Sequence, residues 1–407
     1  MITAQTQHFI ANAFDFEDRG EVPVKGKAEP LHLYRVAGVR AQPGRARGLE
    51  SVGLSSPMVG RERELQTLRE AFDVVRAGRG RLAVLLVEPG IGKSRLLAEF
   101  RASIGATGEG ATVAWFEGHC VSYGRSLPYH LVFDLVRSLL DLPDTGTDQL
   151  PRATLDERLT ALLGAEAADV AVYFAHLLAM PLSREEEDRV QLDPQTLQGR
   201  YVAALSRVVR AFAETRPVVI VCEDIHWADP ASVDVLLGLL PLVTPLPVMM
   251  LFAGRAETDA AGWRLVAQPR STLDEALTEV RLQPLDESDS RELVSNLLEI
   301  ESLPESVRQK ILTRSEGNPF FVEEVIRMLI GRGAIVRSGD RWMANESITG
   351  IEIPDTLHGL LLARIDQLPD SAKRSLRVAS VIGRQFPVRV LEKVLSSTTT
   401  GSTGQPR

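Results

Sequence analysis

The residues best placed to do chemistry are Pro89-Gly90-Ile91-Gly92-Lys93-Ser94, which put two glycines, a lysine and a hydroxyl in the order that cradles phosphate. The glycines let successive backbone N–H groups turn toward phosphate oxygens, and a following helix start adds its partial positive charge. Lys93 is then expected to reach the β- and γ-phosphates of ATP or ADP, and Ser94 to ligand Mg2+. The plain alternative is a glycine-rich strand-to-helix turn, which requires Gly-Lys-Ser to land on a helix start by accident. Val87 stands where the motif opens with glycine. If that position needs a glycine-type backbone, a stiff β-branched residue strains it and weakens nucleotide binding.

A second run, Val218-Val219-Ile220-Val221-Cys222-Glu223-Asp224, is an apolar strand ending in two acids. Downstream of a phosphate loop this pattern predicts Glu223 at the magnesium and Asp224 at the attacking water, although adjacent acids are free to exchange these roles. His226 follows in His-Trp-Ala-Asp, where a packed loop histidine explains it as well as a chemical role. Arg255, just past the apolar run Val248 to Ala253, offers a fixed guanidinium to a γ-phosphate, with a solvated loop arginine as the equal alternative. Asn318-Pro319 reads as a helix cap and first turn, which is sufficient to explain it.

These residues need a scaffold of buried strands. Arg81 to Val87 is a nearly continuous apolar run, expected of a strand covered on both faces, and Thr112 to Phe116, Val218 to Cys222 and Val248 to Ala253 are similar. Helical periodicity lies between them, as in Tyr201 to Phe212, and ahead of the first in Leu65, Leu68, Phe72 and Val75, so the expected class is α/β with three layers. After Arg281 the pattern turns helical over Ser290–Leu298, Pro304–Arg314, Phe320–Gly331 and Pro354–Gln367, with a short strand near Trp342. The chain's 407 residues, 44% hydrophobic and 25% charged, suit two or three globular domains.

Composition also excludes. A formal net charge of -8 argues against a broad nucleic-acid face. No apolar run approaches the roughly 20 residues of a membrane helix, and no signal segment opens the chain, which predicts a soluble cytoplasmic protein. Cys120 and Cys222 lie too far apart in sequence for a metal motif and read as buried thiols.

Taken in order, Met58-Val59-Gly60-Arg61-Glu62-Arg63-Glu64, the loop ending Gly92-Lys93-Ser94-Arg95, Glu223-Asp224-Ile225-His226-Trp227-Ala228-Asp229, Gly317-Asn318-Pro319-Phe320-Phe321 and Ile353-Pro354-Asp355-Thr356 resemble the AAA-type module of the STAND signalling ATPases. The resemblance implies a P-loop NTPase core of the ASCE/AAA type, with a strand inserted between those carrying the P-loop and the acids. It further implies a helical lid and the start of a winged-helix domain. Val59 and Gly60 would lie near the adenine, Arg95 would belong to the nucleotide site, Arg255 would sense the γ-phosphate and Pro319 would touch the nucleotide. Residues 1–36 are in turn similar to the last strands of a class III adenylyl or guanylyl cyclase, with Lys25 or Lys27 as its phosphate-contacting lysine. On that reading Met1 lies inside a former cyclase domain whose metal aspartates would stand upstream.

The expected organisation is a cyclase remnant at 1–36, a linker at 37–56, the ATPase core at 57–282, the lid at 283–353, a partial winged helix at 354–395 and a disordered tail at 396–407. The expected function is an ATP-binding, slowly hydrolysing nucleotide switch, with a protein partner or self-association through the helical region. A cyclase component completed by another chain and a winged-helix transcriptional regulator are the alternatives.

Overall fold

A computed structural model describes residues 2–3, 14–22, 31–39, 56–105, 113–122, 124–143, 151–297, 300–301, 303–338, 341–366, 368–382 and 388–400. Lys25, Lys27, most of the predicted linker and residues 401–407 lie outside the described residues. The chain divides into two compact units, Met1–Val59 with Asp286–Arg364, and Gly60–Leu285 with Ile365–Arg407. The break at Leu285 falls three residues from the expected end of the core.

In the first unit, β1 (Ile2–Thr3), β2 (Phe14–Val22) and β3 (Leu31–Val39) form an antiparallel sheet of order β1-β3-β2. The second unit opens with α1 (Glu62–Arg76), which buries Leu65, Leu68, Phe72 and Val75. Next come β4 (Arg81–Val87), α2 (Lys93–Gly105) and β5 (Ala114–His119). Five helices follow: α3 (His130–Leu139), α4 (Arg152–Leu163), α5 (Ala167–Leu177), α6 (Arg184–Val190) and α7 (Pro194–Ala213). Then β6 (Val218–Glu223), α8 (Pro230–Leu239), β7 (Val248–Gly254) and β8 (Leu277–Leu282) complete the core.

The five strands pair in parallel in the order β5-β6-β7-β4-β8. As expected, β7 is inserted between the P-loop strand β4 and the acid-bearing β6. Alternation along β4 makes the layers: Leu82, Val84 and Leu86 join the large apolar cluster with α3, α4, α5, α7 and α8, while Ala83, Leu85 and Val87, equally buried, face the other way, where α1 packs on β4. The fold is thus a three-layer α/β P-loop core.

The first unit resumes with α9 (Glu287–Leu297), β9 (Ile300–Glu301), α10 (Glu305–Ser315) and α11 (Pro319–Gly331). A small sheet adds β10 (Ile335–Ser338) and β11 (Arg341–Ala344), matching the strand expected near Trp342. Asn318 caps α11 by accepting the N–H groups of Phe320 (3.0 Å) and Phe321 (3.3 Å), with Pro319 in the first turn. Toward the C-terminal end follow α12 (Leu357–Asp366), α13 (Asp370–Ile382) and α14 (Val388–Thr400). Because α14 runs to Thr400, residues 396–400, expected as the start of a disordered tail from their Ser- and Thr-rich composition, are helical.

Candidate nucleotide site

The loop 88–92 leaves β4 and enters α2 at Lys93. Gly90 (φ 82°) and Gly92 (φ 103°) both take the left-handed backbone that glycine alone adopts without strain. Val87 does not. It is the last residue of β4, paired with Leu282, and is absent from the non-glycine positions with positive φ among the described residues. The loop opens from an ordinary β-region residue, so the strain expected of Val87 has no structural basis.

Lys93 lies between the two predicted acids. Its ammonium donates to Asp224 Oδ1 and stands 3.2 Å from Glu223 Oε2. The structure therefore brings together three of the four residues singled out for catalysis. Ser94 is exposed at the start of α2, while Arg95 is turned along that helix, with its Nε donating to Glu99 at 3.0 Å. Val59, which is buried, and Pro319 belong to the other unit.

Behind Glu223 stands a residue that sequence reasoning missed. His119 ends β5 and pairs in register with Glu223, placing its Nε2 3.4 Å from Glu223 Oε1. Asp134 on α3 fixes the ring, since one oxygen (Oδ2) accepts the His119 backbone N–H at 2.8 Å and lies 3.2 Å from Nδ1. Asp134 and then Glu223 push the imidazole up to about 9, against the effect of burial, so it is a cation at neutral pH. Burial pushes the Glu223 carboxyl up, but His119 and Lys93 outweigh it and hold the group down to about 2. Glu223 is therefore ionised wherever a nucleotide would meet it. The signal for His119 was the register of its strand; the polar residues Glu117-Gly118-His119 hid the strand's end.

Asp224 adopts a left-handed backbone (φ 58°) and turns the chain from β6 into the short helix Ile225–Trp227. His226 is buried at 3% exposure, and burial holds it below its ordinary value. Its Nδ1 accepts the backbone N–H of Arg255 at 3.4 Å. The Arg255 side chain does not join the acids: it lies over Trp227 at 5.8 Å and 3.8 Å from Glu257 Oε1. Asp229 is structural, accepting the N–H groups of Ser232 (2.9 Å) and Tyr129 (2.8 Å) through one oxygen. Cys120 and Cys222 are both buried free thiols whose acidity burial suppresses.

The residues present fit a magnesium nucleotide. Two glycines hold the loop in an anion-binding conformation, a hydroxyl is exposed at the helix start, and an ionised carboxylate faces the lysine. Among the described residues no three His, Cys, Asp or Glu side chains gather as a metal site, so a magnesium ion here would draw on phosphate and water for its other ligands. No helix among the described residues is long and apolar enough to cross a membrane.

Comparison with known proteins bears on this site. An uncharacterized protein of Rhizobium meliloti (strain 1021) is 26% identical over 401 residues, 97% of this chain; the chain spans 36% of that relative's length. Among solved structures, a STAND protein with a tetratricopeptide repeat sensor from Pyrococcus horikoshii aligns with TM-score 0.39 at 14% identity, over 83% of this chain and 37% of that one. The ORC2 protein of Aeropyrum pernix aligns with TM-score 0.43 at 11% identity, over 86% and 83%. The Drosophila ORC bound to DNA gives 0.43 at 10%, over 87% and 77%. Residues 286–341 match a domain of unknown function, whose first residue coincides with the break between the two units. Residues 57–251, which contain the loop, both acids and the first residues of the inserted strand, match the AAA ATPase domain, and this segment of the chain is AAA ATPase-like.

Proposed function

We propose that this chain is a nucleotide-switched ATPase module that binds Mg2+ with ATP or ADP at the loop 88–94 and hydrolyses ATP slowly. The observation that carries the reading is Lys93 held between Glu223 and Asp224 at the mouth of a loop whose two glycines have positive φ. In this reading Lys93 exchanges its carboxylate partners for the β- and γ-phosphates, Ser94 and Glu223 hold the metal ion, and Asp224 orients water. Arg255 reports the γ-phosphate, and Gly60 contacts the nucleotide. The helical region 283–353 passes the nucleotide state to a protein partner or to a second copy of the chain, in the cytoplasm.

The finer setting, as the regulatory part of an adenylate or guanylate cyclase-type protein, rests on the resemblance of residues 1–36 to the last cyclase strands. The antiparallel pairing of β2 with β3 is compatible with that origin.

Replacing Lys93 with alanine removes the only lysine at the loop. Fluorescent ATP and ADP titrated against Lys93→Ala are expected to bind at least about 100-fold more weakly than to the parent chain, about 3 kcal/mol. Equal binding by both proteins overturns the assignment.

A further inference from the structure

We infer that His226 is a positioning residue that couples Asp224 to Arg255, so that the end of β6 and the end of β7 respond to a γ-phosphate as one body. The inference rests on the ATPase reading above. The backbone of Ile225 and His226 is wedged against the end of β7. A Cβ at Gly254 would come 2.8 Å from Ile225 Cγ1 and 3.3 Å from His226 N, and a Cβ at Gly262 would come 1.8 Å from the Ile225 carbonyl oxygen. Both glycines are therefore required by close approach, and the segment has no room to slide.

His226 closes a ring of contacts around that wedge. Its Nδ1 accepts the Arg255 N–H at 3.4 Å, and its backbone carbonyl accepts Arg125 Nη2 at 2.7 Å. The same Nη2 donates to Glu257 Oε2 at 2.9 Å, and Glu257 Oε1 is 3.8 Å from Arg255 Nη1. The His226 and Trp227 rings lie 4.6 Å apart, and the Arg255 guanidinium rests over Trp227. Only one residue, Ile225, separates His226 from Asp224. A displacement of the acid by water or phosphate is thus delivered to the Arg255 backbone through one buried ring. Because Nδ1 is the acceptor, the neutral ring carries its proton on Nε2, and a side chain that keeps an acceptor at the Nδ1 position preserves the link.

The test compares His226→Asn, which keeps an acceptor near the Nδ1 position, with His226→Gln, which moves it toward the Nε2 position. ATP turnover, ATP and ADP affinities and melting temperature are measured on the full chain. His226→Gln is expected to lower turnover at least about 10-fold while ADP affinity stays within about 3-fold, and His226→Asn to remain within about 3-fold of the parent in both. Combined with Arg255→Ala, His226→Gln is expected to cost no further turnover, because it acts through that residue. Parent-like turnover by His226→Gln, equal losses by both variants, or full additivity with Arg255→Ala overturns the coupling. Failure of the ATPase reading itself is distinct: there, Lys93→Ala binds nucleotide as the parent does.

Discussion

The ends of β6 and β7 lie side by side in the sheet and are built on opposite plans. At β6 every charge is matched: Glu223 faces Lys93 and His119, Asp224 holds Lys93, and Asp134 holds His119. At β7 the links run mainly through backbone groups and rings, and the one candidate cation, Arg255, is half-exposed over Trp227. The difference teaches how each end meets a ligand. A nucleotide at β6 exchanges charged partners already in place, so recognition there is a substitution. At β7 Arg255 would have to leave Trp227 and Glu257 to reach a phosphate, so recognition there is a movement.

The largest expected effect breaks the β7 plan. In Gly262→Ala the new Cβ meets the Ile225 backbone carbonyl, which cannot give way without moving the Asp224 turn. A loss of about 3 kcal/mol is expected in denaturant unfolding, the upper end of what overpacking costs. Parent-like stability would mean that the wedge between Gly254 and Gly262 is looser than drawn.

The second effect sharpens the β6 plan through pH. His119 is raised from 6.5 to about 9, so its contribution is fully present below about pH 6.5 and is lost as pH rises through 9. Glu223 is depressed from 4.5 to about 2, so its contribution is present above about pH 4.5 and is lost as pH falls through 2. Without metal or nucleotide, the protein should lose on the order of 1–2 kcal/mol of stability between pH 6.5 and 9.5 from His119 alone, after screening of its partly exposed ring. His119→Asn should flatten that slope. An unchanged slope in the variant would detach His119 from the acids.

How much of this was legible follows from burial. Strands β4, β6 and β7 lie inside the sheet and read as apolar runs, and their order around the P-loop followed the expectation. Strand β8 did not read as a strand because it is an edge, and Thr278, Glu279 and Arg281 interrupt its apolar residues. The other edge, β5, was placed too early and stopped before His119 for the same reason. Lys93, Glu223 and Asp224 were legible as chemistry because their types and spacing are demanding. Their pairing with His119 and Asp134 was not, since it depends on strand register and on a helix that returns across the sheet. Val87 was misjudged because motif matching reports a residue type and carries no dihedral angle.

The smallest effect on nucleotide affinity tests that last point. Val87→Gly should leave ADP and ATP dissociation constants within about 2-fold of the parent, because the valine occupies an ordinary strand position. Removing its buried side chain should instead cost about 2 kcal/mol of stability. Calorimetry that finds markedly tighter binding in the glycine variant would restore strain to the loop.

Arg61 has a consequence for the order in which this site is made. Its guanidinium, 6% exposed, donates through Nη2 to the carbonyl of Ile91 in the phosphate loop at 3.2 Å and to the carbonyl of Gln283 just beyond β8 at 2.7 Å. The second partner is 222 residues away in sequence, so this bond requires the closure of a long non-local loop. During synthesis the chain emerges from its N-terminal end, and β4, α2 and Arg61 are all present long before Gln283. The phosphate loop is thus made early and braced late, and ribosome-bound chains stopped before Gln283 should capture ATP less firmly than chains released beyond it.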